Sequence, residues 1–460
     1  MRRVLPVTGG IVFVAMYFAL LSWSQCLGAE ITKAVVSEKA EQLVQSGVVD
    51  GLSIGFIQDD RHGTYHFGTS RRGKRPDNLT VYEIGSASKV FTSLLLADAT
   101  VRGSIDLSDP VDVTNGAGIE LPKHGDHPIT WLHISTHRSG LPRLPANIEV
   151  VSPRNPYHDF DAKKAAAFLS ELKLTRSPAA QHEYSNFAVS VLGYLIAQHQ
   201  HSSYSALLKK QIADPLRMDN CTIELSTSQQ QRLAMSHRPA GVETPLWDFA
   251  DLPGAGGIRA SLRDMMRFAR AQLYPPSGTL GEAIELAWQQ HHTGDESGPA
   301  MGLSWMILPD GQTRWHNGET GGSHSIILVN RRHRVAVILL SNTAPGPHID
   351  ALGIGLMRHA TTSDAEPKIK PFADGIDPKR LEGRYQLAPN FIFDVHVIDG
   401  RMTVGITDQP AQQVFRDFDT KWSYKSVEAT LEFHLTGGVP AYALTLHQNG
   451  IAQRAIRIRE

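Results

Sequence analysis

The sequence predicts an α/β (α+β) protein: an antiparallel sheet flanked by helices and split by a long helical insertion, followed by a small all-β domain. Three observations carry this. Runs of β-forming residues stand at 51–58 and 63–70, then return only at 302–308, 323–330 and 334–342. The intervening stretch from Ser86 to about Gln290 is mostly helical in pattern, broken by loops such as 121–130 and 141–156. Beyond a charged, low-complexity stretch at 363–378, the texture changes to short alternating runs.

Composition bounds the rest. The chain has 460 residues, 41% of them hydrophobic, with 45 basic against 46 acidic side chains. That supports folded cores and more than one domain. A balanced charge argues against nucleic acid or an anionic membrane surface as the main partner. The N-terminus reads Arg2, Arg3, then 11-IVFVAMYFALLSW-23 and 24-SQCLGAE-30, the order of a secretory signal peptide cut after Ala29. The mature protein is therefore expected to be periplasmic or secreted, with no stable membrane span. Cys26 follows Gln25, which speaks against lipidation, and cleavage leaves Cys221 as the single cysteine. Stability must then come from packing, not from an internal disulfide.

In chain order, residues 33–47 form an opening helix, and 51–58 with 63–70 form a hairpin around Asp-Asp-Arg-His-Gly. Next comes 83-EIGSASKVFTSLLLADA-99, where Val90, Phe91, Leu94, Leu95 and Val101 recur at helical spacing. The returning strands meet the hairpin in one antiparallel sheet, and a helix follows at about 349–360. The alternating runs 391–406, 429–437 and 441–458, with Asp399-Gly400 and Asn449-Gly450 at two-residue turns, make a β domain of about 80 residues. The expected division is a signal peptide at 1–29, a main domain at 30–362, a linker at 363–378 and the β domain at 379–460. No solenoid-type repeat occurs.

The chemistry starts at Ser86 and Lys89, one helical turn apart on one face. Two readings fit that stretch alone. Ser86 is an N-cap with Lys89 reaching outward, or Ser86 is a nucleophile whose proton Lys89 manages. Two further groups follow in order. One is 184-YSN-186, ahead of the apolar helix 187-FAVSVLGYLIA-197. The other is 315-WHNGETGGSHS-325, a glycine-rich turn leading into a strand. A lone serine near a lysine is common by chance, and Tyr184 alone could cap a helix. The joint order carries the reading.

Together these motifs resemble the active-site set of the serine β-lactamase and penicillin-binding-protein superfamily, whose related set is S-x-x-K, S-D-N and K-T-G. The tyrosine of the second motif points to the class C β-lactamase and DD-peptidase-like branch. The stretches 134-ISTHRSGLPRLP-145 and 254-GAGGIRASLRDMMRFA-269 resemble that branch too, and the likeness covers about residues 35–360. The tail is similar to the lipocalin-like domain often appended to such hydrolases, opening at 382-EGRYQL-387. The resemblance implies Ser86, Lys89 and Tyr184 as catalytic residues, and Asn186, His316, Asn317, Gly318 and Glu319 as substrate-binding ones. The Glu319 N–H is the expected second oxyanion donor.

Residue chemistry agrees. A serine at a helix N-terminus has free amides and the dipole beside it for an oxyanion. A desolvated Lys89 shifts toward neutrality and can accept the proton. Tyr184 can run as a phenolate or share the proton, and later protonate the leaving group. The amide of Asn186 can hold the substrate's own amide.

In one place the chain departs from the pattern. His316 stands where the family usually has lysine, and Asn317 where threonine is common. If His316 greets a substrate carboxylate in place of lysine, it does so protonated, near an unperturbed pKa of about 6.5. The expected function is an exported serine hydrolase acting through an acyl-enzyme on Ser86, on β-lactams or D-Ala-type cell-wall peptides. The alternatives are an esterase or D-amino-acid amidase on the same scaffold, and a β-lactam receptor that does not turn over. The partner is thus a small-molecule or peptide substrate, with no cofactor and no metal. His133 and His137 have metal-ligand spacing, but Ile134 stands where a metalloprotease needs glutamate. The 124-HGDH-127 cluster and His291-His292 read as surface, and no G-x-S-x-G elbow occurs.

Overall fold

The structure, a computed structural model, describes residues 29–362 apart from 72, 112–117, 149–153, 239–240 and 345. It also describes 377–458 apart from the short stretches 389–390, 399–400, 408, 417–419, 425–428, 437–439 and 449–450. The signal segment, most of the linker and the Asp399-Gly400 and Asn449-Gly450 turns lie outside the described residues.

Helix α1 (Lys33–Gln45) leads to β1 (Gly51–Gln58) and β2 (Arg61–Gly68). The hairpin turn is tighter than expected: Gln58 pairs with Arg61, leaving Asp59 and Asp60 to turn the chain. Asp59 has φ +55°, a left-handed conformation that aspartate tolerates in such turns. After β3 (Val81–Glu83) the chain enters the buried helix α2 (Ser88–Val101). The helical insertion includes α3 (Asn186–His199), β4 (Arg259–Ser261) and α4 (Leu262–Leu273), and closes with a helix at Thr279–Trp288.

The chain then returns as β5 (Met306–Ile307), β6 (Thr313–Glu319), β7 (His324–Asn330) and β8 (Val335–Ser341), and ends this region with α5 (Pro347–Thr361). The strands form one six-stranded sheet in the order β2-β1-β8-β7-β6-β5. Strands from both ends of the region pair antiparallel, from Leu52 with Ser341 to Gln58 with Val335. Every residue of β1, β7 and β8 is buried, because helices cover both faces. The two-residue period of a strand sorts the side chains between the layers. Ile326, Leu328, Val337 and Leu339 pack with Ile349, Leu352 and Leu356 of α5. Ile327, Val329, Ala336 and Ile338 pack with Leu262, Met265 and Phe268 of α4.

One expectation is corrected here. Residues 315–325 read as a glycine-rich turn, yet His316 to Glu319 lie on β6 itself. The turn is confined to 320–323, where the Thr320 N–H donates to the Ser323 carbonyl at 2.9 Å.

Beyond Pro378 the chain forms β9 (Gly383–Ala388), β10 (Phe391–Ile398), β11 (Arg401–Ile406), β12 (Gln409–Arg416), β13 (Lys421–Tyr424), β14 (Ala429–His434), β15 (Ala443–Gln448) and β16 (Ile451–Ile458). Each strand pairs with its chain neighbour, and β9 pairs with β16, closing an up-and-down barrel. Closure leaves no open edge. Leu381, Tyr385, Phe393, Val404, Leu431 and Phe433 belong to the apolar cluster of this barrel, separate from the clusters on either side of the sheet.

Separate cores support a division of the chain at 363–378. A chain ending at Thr362 is expected to keep a cooperative thermal transition and the hydrolytic activity of the whole. Circular dichroism melts and ester hydrolysis check this, and loss of both would make the barrel part of the hydrolase fold.

Candidate active site

The site is built where β6 touches the turn that starts α2. A 3-10 turn, Gly85–Ala87, carries Ser86 into the helix. Gly85 has φ +51°, and a Cβ there would lie 2.5 Å from the Glu319 nitrogen. A Cβ on Gly318 would lie 1.9 Å from the Ile84 carbonyl oxygen and 2.7 Å from the Ser86 nitrogen. Only two glycines permit this backbone-to-backbone approach. The Ser325 hydroxyl donates to the Ile84 carbonyl at 2.7 Å and fixes the turn. Because Thr320 and Ser323 are a hydrogen-bonded pair, the next pair, Glu319 and His324, is not. The Glu319 N–H therefore points away from β7, on the side of the Ser86 turn.

Lys89 is fully enclosed, at 0% exposure. Its Nζ lies 2.9 Å from Ser86 Oγ and donates to the Ala255 carbonyl at 2.8 Å. Burial, and secondarily the charge of Arg143, hold its pKa well below the usual lysine range. Nζ sits 4.9 Å from the centroid of the Tyr184 ring. Burial pushes the Tyr184 phenol up to about 12, although a hydrogen bond with Ser86 and the Arg143 charge pull the other way. A phenol with that value holds its proton at neutral pH, which favours the proton-sharing role for Tyr184 over the phenolate one.

Asn186 is the first residue of α3, whose Ser185 N-cap accepts from the Ala188 N–H at 2.9 Å. Its Nδ2 lies 3.4 Å from the Tyr157 hydroxyl. Its Oδ1 is buried and has no hydrogen-bond partner among the described residues. A buried acceptor left open two residues from Tyr184 suits a substrate N–H.

His316 faces the same space, its ring centroid 6.3 Å from that of Tyr184. It is 1% exposed, and its Nδ1–H donates to the Asn317 carbonyl. Burial, with the Lys89 charge, drives its pKa down to about 3, outweighing that hydrogen bond. At that value His316 is neutral across the physiological range, which speaks against a protonated contact to a carboxylate. Asn317 needs correction too. Strand alternation turns its side chain to the opposite face, where Nδ2 donates to Asp350 Oδ2 of α5 at 2.7 Å. The structure thus brings together Ser86, Lys89, Tyr184, Asn186, His316, Gly318 and the Glu319 backbone, and leaves the Asn317 side chain outside.

Three contributors lie inside the quoted motif stretches but were not singled out there as site residues. The Ala255 carbonyl comes from the 3-10 turn Pro253–Ala255, ahead of β4. His137 packs against Tyr184 with ring centroids 4.4 Å apart and the rings tilted by 36°, and burial holds its pKa well below the usual histidine value. It is not one of a ligand pair, because His133 is occupied in a capping box with Thr130. Behind Glu319, buried His324 bridges two carboxylates: Nδ1 is 3.2 Å from Glu319 Oε2 and Nε2 is 2.7 Å from Asp350 Oδ1. Burial alone would lower its pKa, but the hydrogen bonds and charges of Asp350 and Glu319 raise it to about 9.

A family profile described as Beta-lactamase matches residues 36–362. The D-alanyl-D-alanine-carboxypeptidase/endopeptidase AmpH of Escherichia coli (strain K12) is 26% identical over 294 residues, 61% of this chain and 74% of that protein. A beta-lactamase of Pseudomonas fluorescens is 27% identical over 285 residues, 60% of this chain and 75% of its own length. The class C beta-lactamase from Rhodobacter sphaeroides superposes with a TM-score of 0.60 at 20% identity, covering 71% of this chain and 99% of that one. The beta-lactamase/D-alanine carboxypeptidase from Yersinia pestis, complexed with citrate, gives a TM-score of 0.61 at 20% identity, covering 70% and 98%.

The His324 bridge generates a pH prediction. Its folded-state pKa, about 9, lies above the unfolded value of about 6.5. The stabilisation is therefore fully present below about pH 6.5 and fades as pH rises through about 9, a loss of about 3 kcal/mol by linkage. Unfolding free energies across that range should show this decline in the native chain and not in His324→Gln. Parallel profiles would mean that the bridge is not charged.

Proposed function

Because the chain belongs to the beta-lactamase family, a family of serine hydrolases, we propose that it is an exported, periplasmic or secreted acyl-transfer enzyme with Ser86 as nucleophile. The observation that carries this reading is the fully buried Lys89 amine, 2.9 Å from Ser86 Oγ. A neutral amine accepts the hydroxyl proton as Oγ bonds to the substrate carbonyl carbon. The oxyanion takes hydrogen bonds from the Ser86 and Glu319 N–H groups. Collapse of the intermediate breaks the bond to the leaving group as Tyr184 gives that group its proton. The Lys89 ammonium then returns a proton to Tyr184. Water repeats the sequence on the acyl-enzyme and frees Ser86. Among the described residues no helix is long and apolar enough to cross a membrane.

The substrate class that the relatives' names support is β-lactams or D-alanyl peptides, opened at the amide. An esterase on the same scaffold is the second reading, favoured by one observation: His316, in place of the family lysine, is buried, which disfavours its charged form.

Brief exposure to a chromogenic cephalosporin or a p-nitrophenyl ester should add the acyl mass to Ser86, read by peptide mapping, and Ser86→Ala should remove it. Tyr184→Phe should lower kcat/KM by about 10²–10⁴-fold. A label on Ser139 or Ser185 would contradict the assignment. A stoichiometric burst without turnover would identify a receptor instead of an enzyme. The preference for a carboxylate-bearing substrate over a neutral one should be flat from about pH 5.5 to about pH 8, since His316 titrates far below that window. A ratio that climbs as pH falls would show that His316 gains a proton within it.

A further inference from the structure

With His316 uncharged, the question is whether the cleft offers any other fixed cation. Three arginines stand on the loops around Tyr184. The Arg138 guanidinium donates to the Ala179 carbonyl, and Arg176 pairs with Glu183. Arg143 differs. It is exposed, and among the described residues its guanidinium has no carboxylate partner. Its Cζ lies 5.2 Å from the centroid of the Tyr184 ring, while Lys89 Nζ lies 4.9 Å from the same centroid. The charge is felt through the site, lowering the pKa of Lys89 and His137 and opposing the rise at Tyr184.

Its base is rigid. The Arg143 carbonyl accepts the N–H groups of Asn186 and Phe187 at 3.1 and 3.2 Å, and the nearby Leu141 is fully buried. The main chain of Arg143 therefore anchors the first turn of α3, while among the described residues its guanidinium has the Tyr184 ring beside it and no carboxylate partner. An arginine fork laid on an aromatic ring is oriented for an anion before one arrives. It binds a carboxylate through two parallel N–H···O bonds.

We propose that Arg143 is a specificity-determining residue that receives a carboxylate of the acyl donor, so that the enzyme prefers anionic donors to matched neutral ones. This rests on the acyl-enzyme reading for the donor's place beside Ser86, while the charge preference can be measured without turnover. An arginine does not titrate near neutrality, so the preference is independent of pH where a histidine's would not be.

The test uses the full chain carrying Ser86→Ala, with binding measured by calorimetry. Two probe pairs place the charge on either side of the scissile bond: N-acetyl-D-alanyl-D-alanine against its C-terminal amide, and N-succinyl-D-alaninamide against N-butyryl-D-alaninamide. At least one acid should bind about tenfold or more tighter than its neutral partner, unchanged from about pH 5.5 to about pH 8. The preference should persist in direction in Arg143→Lys and fall to near one in Arg143→Gln. The melting temperature should hold in both variants, because the backbone and not the side chain anchors α3. No acid preference in either pair, or one that survives Arg143→Gln, overturns the proposal. Failure to label Ser86 in the intact enzyme would instead overturn the acyl-enzyme reading and leave this binding result standing.

Discussion

A lysine amine taken entirely out of water is the constraint around which this molecule is arranged. An ammonium at Lys89 would need its lost hydration replaced, and the site supplies two polar contacts, Ser86 Oγ and the Ala255 carbonyl. Burial pushes Lys89 toward the neutral amine, the form whose lone pair a Ser86 nucleophile would need. The neighbours conform. Burial lowers the proton affinity of His137 and His316 and raises that of Tyr184, so each of the four groups is pushed toward its uncharged form. A charge on any of these cations would oppose a charge on the next. The site is thus a set of proton carriers that burial pushes toward neutrality, with the exposed charge of Arg143 beside the Tyr184 ring.

Such a site needs a frame that does not yield, and the sheet provides one. Gly85 and Gly318 let β6 lie against the Ser86 turn with backbone in contact, which sets the Glu319 N–H beside the nucleophile. Two buried clamps hold the junction. On one side Glu83 accepts from the Trp247 N–H at 2.7 Å, the Thr320 hydroxyl at 2.8 Å and the Ser236 hydroxyl at 3.2 Å. This ties the strand before Ser86 to the β6–β7 turn. On the other, Asp350 binds both Asn317 and His324, and His324 reaches Glu319. The helices over the sheet thereby position the oxyanion strand as well as covering apolar surface.

How much of this was readable in the sequence depends on whether the signal was local. Ser86 and Lys89 share a helical turn, and Tyr184 and Asn186 stand together at a helix start, so each pair was local in the chain, and the order of the motifs with the family resemblance linked them. Strand pairing between the two ends of the main region followed from where β-forming runs begin and return. Asn317 was misplaced because glycines 318, 321 and 322 made 315–325 look like a turn. The alternation of a strand would have put His316 and Gly318 on one face and Asn317 and Glu319 on the other. Ala255 contributes a carbonyl, which has no side-chain signature. Arg143 lies in the quoted 134–145 stretch, but nothing in that stretch links it to Tyr184 until the fold sets it over the ring. The barrel strands were legible from their alternation, but closure requires β9 to meet β16, a pairing between segments far apart in the chain.

The central claim concerns one proton, and its most direct measurement is the charge state of Lys89. Nitrogen-15 NMR of the ε-amine in lysine-labelled protein, assigned with Lys89→Arg, distinguishes amine from ammonium by chemical shift. The expected spectrum at pH 7 shows Lys89 as a neutral amine, with the other lysines as ammonium. An ammonium signal from Lys89 that persists through pH 9 would contradict the account, since Ser86 would then have no base beside it.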